Sequence, residues 1–288
     1  MFALSLVLLK LNTNECLNTF SYIFYLLCSD EAALVDTVIE CTEKVVLHGQ
    51  TFSKALLDKG ESKKLMILLS SIKLVKNKVL QLKAIFGKTI VKDYMDDDLE
   101  ELIQSIFAQV VSYYKAIISN EVLHDAESND WKSQAPYYES QKISTSIQFW
   151  AYTMQGLRAD MFNILPEKIA SKALHELVKN SLDILTVRYC QIKPSARRLS
   201  QYRADISVIL YVAHDMLLSL ISDVRTLLHP NPVHVPARSI HQKCLTLLIA
   251  QMMVGSPIKN FERYIESITS SDEPQGGPRK LEPMQKVY

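Results

Sequence analysis

Two apolar stripes at helical spacing, meeting at Lys193-Pro194-Ser195, constrain this chain more than any other stretch. Before the junction, Leu174, Leu177, Val178, Leu182 and Leu185 recur at helical spacing. After it, Ile206, Ile209, Leu210, Ala213, Leu217, Leu220, Val224 and Leu228 do the same more strictly. That period puts the apolar side chains on one face of each helix, so Ala173–Leu228 reads as a helical hairpin with a charged hinge. Arg188, Lys193, Arg197, Arg198 and Arg203 all lie in or beside that hinge. Pro194-Ser195 is expected to open the second helix, which brings Lys193, Arg197, Arg198 and Arg203 to its positive end. Such a set suits an acidic partner segment, a phosphorylated peptide or a phosphoinositide headgroup. The plainer alternative is that these cations solubilise the surface or pair with neighbouring helices. In that case Asp205, with Arg203 or Arg188, would form an ion pair fixing the register of the hairpin.

Composition extends the helical reading to the whole chain. Only 7 Gly and 10 Pro occur in 288 residues, and few apolar runs alternate, which disfavours a sheet protein. The expected fold is all-α: an elongated bundle of antiparallel helical hairpins, about eight to ten helices in number. A net charge of +1 gives no reason to expect nucleic acid. Cys16, Cys28, Cys41, Cys190 and Cys244 are odd in number and lack zinc or redox spacing, so they read as buried thiols of a reducing, cytoplasmic protein. No window is apolar over the ~20 residues that a membrane-spanning helix needs. Phe2–Leu9 has the length of a signal-peptide core, but no Lys or Arg precedes it and no small-x-small cleavage site follows. The expected reading is a helix inside a longer parent chain, exposed as a start by fragmentation or by alternative initiation.

Three regions follow from the periodicity: an N-terminal helical region (1–125), a loop (126–138) and a C-terminal helical bundle (139–269), before a compositionally disordered tail (270–288). In the first region, Asp30 is a candidate N-cap, Gly49 weakens the middle of the helix that follows, and Gly60 is a C-terminal stop. Next, Leu65, Leu68, Leu69, Ile72, Val75, Val79, Leu82 and Ile85 oppose Lys63, Lys64, Lys73, Lys76, Lys78 and Lys83, a solvated basic face. Asp96-Asp97-Asp98 lacks the alternating ligands and central glycine of a calcium loop and reads as capping for a helix running to about His124. Trp131, Tyr137 and Tyr138 are expected to anchor the loop. His229–Pro236 reads as an irregular connection before a short helix from Ile240 to Val254.

Catalytic motifs do not emerge. The chain has no nucleophile elbow, phosphate-cradling glycine loop, dinucleotide fingerprint or His-Glu-x-x-His helix, so neither an enzyme nor a cofactor is expected. His229, His234, His241 and Cys244 match no structural zinc spacing, and no metal is expected. His214, beside Asp215 on the most apolar stripe, reads as a core histidine.

One resemblance stands beside this reading. Phe149-Trp150, Leu157-Arg158-Ala159-Asp160, Ile164-Leu165-Pro166, Ser181-Leu182, Arg188-Tyr189, Pro194-Ser195, Arg198, Gln201 and Asp205-Ile206 occur in a distinctive order. That order resembles the C-terminal region of a large, uncharacterised, wholly helical animal protein family. It is more weakly similar to the helical rods of multisubunit vesicle-tethering complexes. The resemblance covers roughly Thr145–Leu228 and implies a helical-rod scaffold without catalytic residues. The expected function is therefore a non-catalytic scaffold or adaptor binding other helical proteins, tether-like in membrane trafficking, with no nucleic-acid or small-molecule partner. The alternatives are a peripheral binder of anionic lipid, using basic helix faces at the membrane, and an enzyme of unrecognised type.

Overall fold

A computed structural model describes residues 31–86, 93–128, 130–135, 143–221, 235–255 and 262–263. Seven helices packed antiparallel occupy these residues: α1 (Glu31–Asp58), α2 (Ser62–Phe86), α3 (Asp93–Ser128), α4 (Thr145–Ile164), α5 (Glu167–Gln191), α6 (Leu199–Leu218) and α7 (Val235–Gly255). The fold is all-α, as the spacing implies, but the count of eight to ten helices is not supported. The helix expected before Asp30 falls on positions outside the described residues, as do Cys16, Cys28, Tyr137, Tyr138, Val224, Leu228 and the 270–288 tail.

Two helices organise the packing. α3 lies against α1, α2, α4 and α5, and α5 lies against α3, α4, α6 and α7. One continuous buried cluster therefore runs from Leu56, Leu65 and Leu102 through Trp150 and Leu177 to Ile209 and Leu247. The stripe that defines α5 in the sequence is the most completely enclosed: Ala173, Leu174, Leu177, Val178, Leu182 and Leu185 all sit within it. Ala170 and Ala173 carry side chains small enough to let neighbouring helices approach closely.

Glycine and proline mark the turns. After α1, Gly60 adopts φ 67°, the left-handed conformation that glycine enters without a Cβ clash. Its N–H donates to the Leu57 carbonyl at 3.0 Å and the Glu61 N–H to the Leu56 carbonyl at 3.0 Å, the paired bonds of a Schellman stop. Gly49 does not weaken α1 in the expected way. The helix runs through it, and a Cβ there would meet Leu102 Cδ2 at 2.9 Å, so the missing side chain admits α3. Leu165, extended at ψ 150°, precedes Pro166, and α5 starts at the next residue. α7 starts at Val235, earlier than the expected Ile240, because Pro236 is tolerated in a first helical turn. α3 likewise begins at Asp93, so Asp96–Asp98 lie within its opening turns.

Candidate interaction site at the α5–α6 connection

The chain leaves α5 at Gln191 and enters α6 at Leu199. Pro194-Ser195 does not open the second helix: both residues lie in the connection, and the N-cap is Arg198. The physical reason is that Ser195 is bonded elsewhere. Its N–H donates to the Trp131 carbonyl at 2.8 Å and its hydroxyl to the Ser133 carbonyl at 2.6 Å, clipping the connection to the 130–135 loop. Trp131 anchors that loop as expected, packing edge-on against Tyr189 and Tyr202 at centroid distances of 6.3 and 6.2 Å. The Ser195 carbonyl then accepts the Arg198 N–H at 2.9 Å, turning the chain into α6.

Beneath the connection lies a buried polar network. Asp205 is 0% exposed, and Oδ1 accepts the Ser144 N–H at 2.8 Å. Oδ2 accepts the Tyr189 hydroxyl at 2.8 Å and the Ser144 hydroxyl in a short bond. The Gln201 amide donates to Ser144 Oγ at 3.1 Å. Ser144 is the N-cap of α4 and makes no capping bond of its own, so the carboxyl of α6 sits at the positive end of α4. Tyr202 performs a matching service for α5: its hydroxyl donates at 3.2 Å to the Tyr189 carbonyl, one of the last-turn carbonyls without an intrahelical donor. Burial pushes the Tyr202 hydroxyl pKa well up, which keeps that donor protonated. α4, α5 and α6 are thus joined at one end by side-chain bonds in addition to apolar packing.

The ion pair expected between Asp205 and Arg203 or Arg188 is replaced by this arrangement. Residues two apart on a helix do not share a face, and Arg203 is exposed where Asp205 is buried. Sequence reasoning missed Ser144 and Tyr189 as its partners. An opposite-charge bond that does join α4 to α6 is Arg158 Nη1 to Asp215 Oδ2 at 2.8 Å. His214, beside it, is exposed and not a core histidine.

The five cations in and beside the connection differ in exposure. Lys193, Arg197 and Arg203 are exposed, whereas Arg188 and Arg198 are half-buried. Arg198 Nη1 donates to Gln201 Oε1 at 3.2 Å, tying the surface to the network below. Among the described residues no carboxylate pairs with any of the five, and the Nε atoms of Arg188 and Arg198 are buried without an acceptor. The basic face of α2 differs. Lys63 bonds Asp160 at 2.9 Å, Lys64 bonds Glu61 at 2.8 Å, and Lys76 bonds Glu100 at 2.8 Å. Lys73 also lies 3.9 Å from Glu100, so four of the six lysines named on that face have a carboxylate partner within the fold.

The remaining candidates do not converge. His229 and His234 lie outside the described residues, and no group of three potential metal ligands occurs among those that are described. Cys41 and Cys190 are exposed, contrary to the expectation of buried thiols, while burial pushes the Cys244 thiol up to about 11.

Comparison with known proteins adds a family. The chain is 33% identical over 177 residues to the human uncharacterized protein KIAA0825, an alignment covering 59% of this chain and 14% of the human protein. This chain therefore spans a small fraction of its relative's length. No solved structure matches. The family model described as a domain of unknown function, DUF4495, matches residues 33–285, and the chain belongs to that family.

Proposed function

We propose that this chain is a non-catalytic helical scaffold that binds other helical proteins in the cytoplasm, in the tether-like role implied by the helical-rod resemblance. The observation that supports this reading is the outer face of α7. Ala237, Ile240, Leu247 and Ala250 are buried, so one side of the helix is committed to α5 and α6. The other side is also apolar: Leu245, Ile249 and Met252 are 56%, 45% and 55% exposed, flanked by Leu248 and Met253. Their spacing of four and three residues forms a seam that suits a second helix packed alongside. A helix stretch that is apolar on both sides is normally enclosed, and among the described residues no helix covers this side.

Proximity labelling with the protein expressed in cells tests this, comparing wild type with Ile249→Glu/Met252→Glu. Expected is an enrichment of membrane-trafficking components that the double variant loses while its unfolding midpoint stays unchanged. A partner set without such components would remove the tether-like role, and a set indifferent to the variant would remove α7 as its surface. Salt-sensitive flotation on anionic vesicles with no protein partner would favour the lipid-binding alternative.

A further inference from the structure

We propose that the cations of the α5–α6 connection form a second contact, a docking site for a glutamate- and aspartate-rich segment of a partner protein. This inference rests on the scaffold reading and assigns chemistry to a surface distinct from α7. Three observations carry it. First, Arg188, Lys193, Arg197, Arg198 and Arg203 have no carboxylate partner among the described residues, whereas Arg158, on the neighbouring helix, is paired with Asp215 at 2.8 Å. Like charges repel one another, and an acidic segment relieves that repulsion as well as supplying attraction.

Second, the platform is preorganised. Ser195 is bonded to Trp131 and Ser133, and Tyr189, Tyr202 and Asp205 are buried below. The backbone that carries the cations is thus fixed before a ligand arrives, which lowers the ordering cost of binding. Arg198 is further held by Gln201 at 3.2 Å.

Third, four of the five cations are arginines; Arg197 and Arg203 are exposed with Lys193, while Arg188 and Arg198 are half-buried. Guanidinium groups suit this task because their planar donors match a carboxylate edge to edge.

The test uses the complete chain and a fluorescein-labelled peptide of six glutamates flanked by Gly-Ser, followed by fluorescence anisotropy. Expected is saturable binding that weakens about tenfold in Arg197→Glu/Arg203→Glu and less than about twofold in Lys168→Glu/Lys179→Glu, a charge-matched change on the exposed side of α5. Circular dichroism and urea midpoints establish that both variants are folded. Equal losses in the two variants, or no binding by the wild type, would overturn the proposal. So would tighter, Arg197-dependent binding to phosphatidylserine vesicles, or to a phosphoserine peptide in place of the glutamate one. If the peptide fails while α7-dependent partners persist in proximity labelling, this site alone is lost and the scaffold reading stands.

Discussion

Asp205 concentrates the residue-scale logic of the molecule. A carboxyl with 0% exposure is tolerable only when donors surround it, and Ser144 and Tyr189 supply an N–H and two hydroxyls. Asp205→Ala leaves those donors buried and unanswered, and urea unfolding is expected to show a loss of about 3 kcal/mol or more. Asp205→Asn keeps one acceptor oxygen and should lose less. Gly60 is the other residue set by backbone physics: at φ 67° an alanine is strained, and Gly60→Ala is expected to cost about 1 kcal/mol in the same assay. Reactivity should follow exposure among the described thiols. Cys41 and Cys190 are exposed and Cys244 is pushed up to about 11, so iodoacetamide at neutral pH should modify the first two well before the third. Peptide mass mapping over a time course reads that order.

At the scale of elements, helices were legible where one apolar stripe faces one core. α5 could be read from Leu174, Leu177, Val178, Leu182 and Leu185 because each of them is enclosed. The start of α6 was misread because Pro194-Ser195 has the local chemistry of a helix opening, while the bonds that pin Ser195 come from a loop more than sixty residues earlier. The Asp205 network was hidden for the same reason: its donors lie on α5 and before α4, and no periodicity in α6 announces them. The candidate site was only half visible, its cations readable as a cluster and its supporting shell not. Many residues carrying the family resemblance, including Trp150, Leu182, Tyr189, Ser195, Gln201 and Asp205, take part in the packing or bonds at or below that site. Between elements, Arg158 and Asp215 are each 30% exposed, so a double-mutant cycle should give a coupling of about 0.5–1 kcal/mol. Glu100, on α3, is held below the usual carboxylate range, chiefly by its hydrogen bond from Lys76. Because its folded value is depressed, this contribution is complete above the ordinary glutamate range and lost as pH falls through the folded value. Glu100→Gln should therefore flatten part of the acid side of a urea-midpoint titration.

For the whole molecule, a single buried cluster runs from α1 to α7, and on the proposed scaffold reading the surfaces left uncovered on it are where partners fit. Two such surfaces differ in kind: an apolar seam on α7 and a cationic connection between α5 and α6. A scaffold that offers both can hold a helix and an acidic segment at a fixed separation, with no chemistry required of its own side chains. Site-specific photo-crosslinking of the protein in cells tests this directly, with benzoylphenylalanine placed at Met252 on the α7 seam and, as a control, at exposed Gln155 on α4. The expected result is a discrete adduct to another polypeptide from Met252 and none from Gln155. The same adduct pattern at both positions, or none at either, would contradict the scaffold reading.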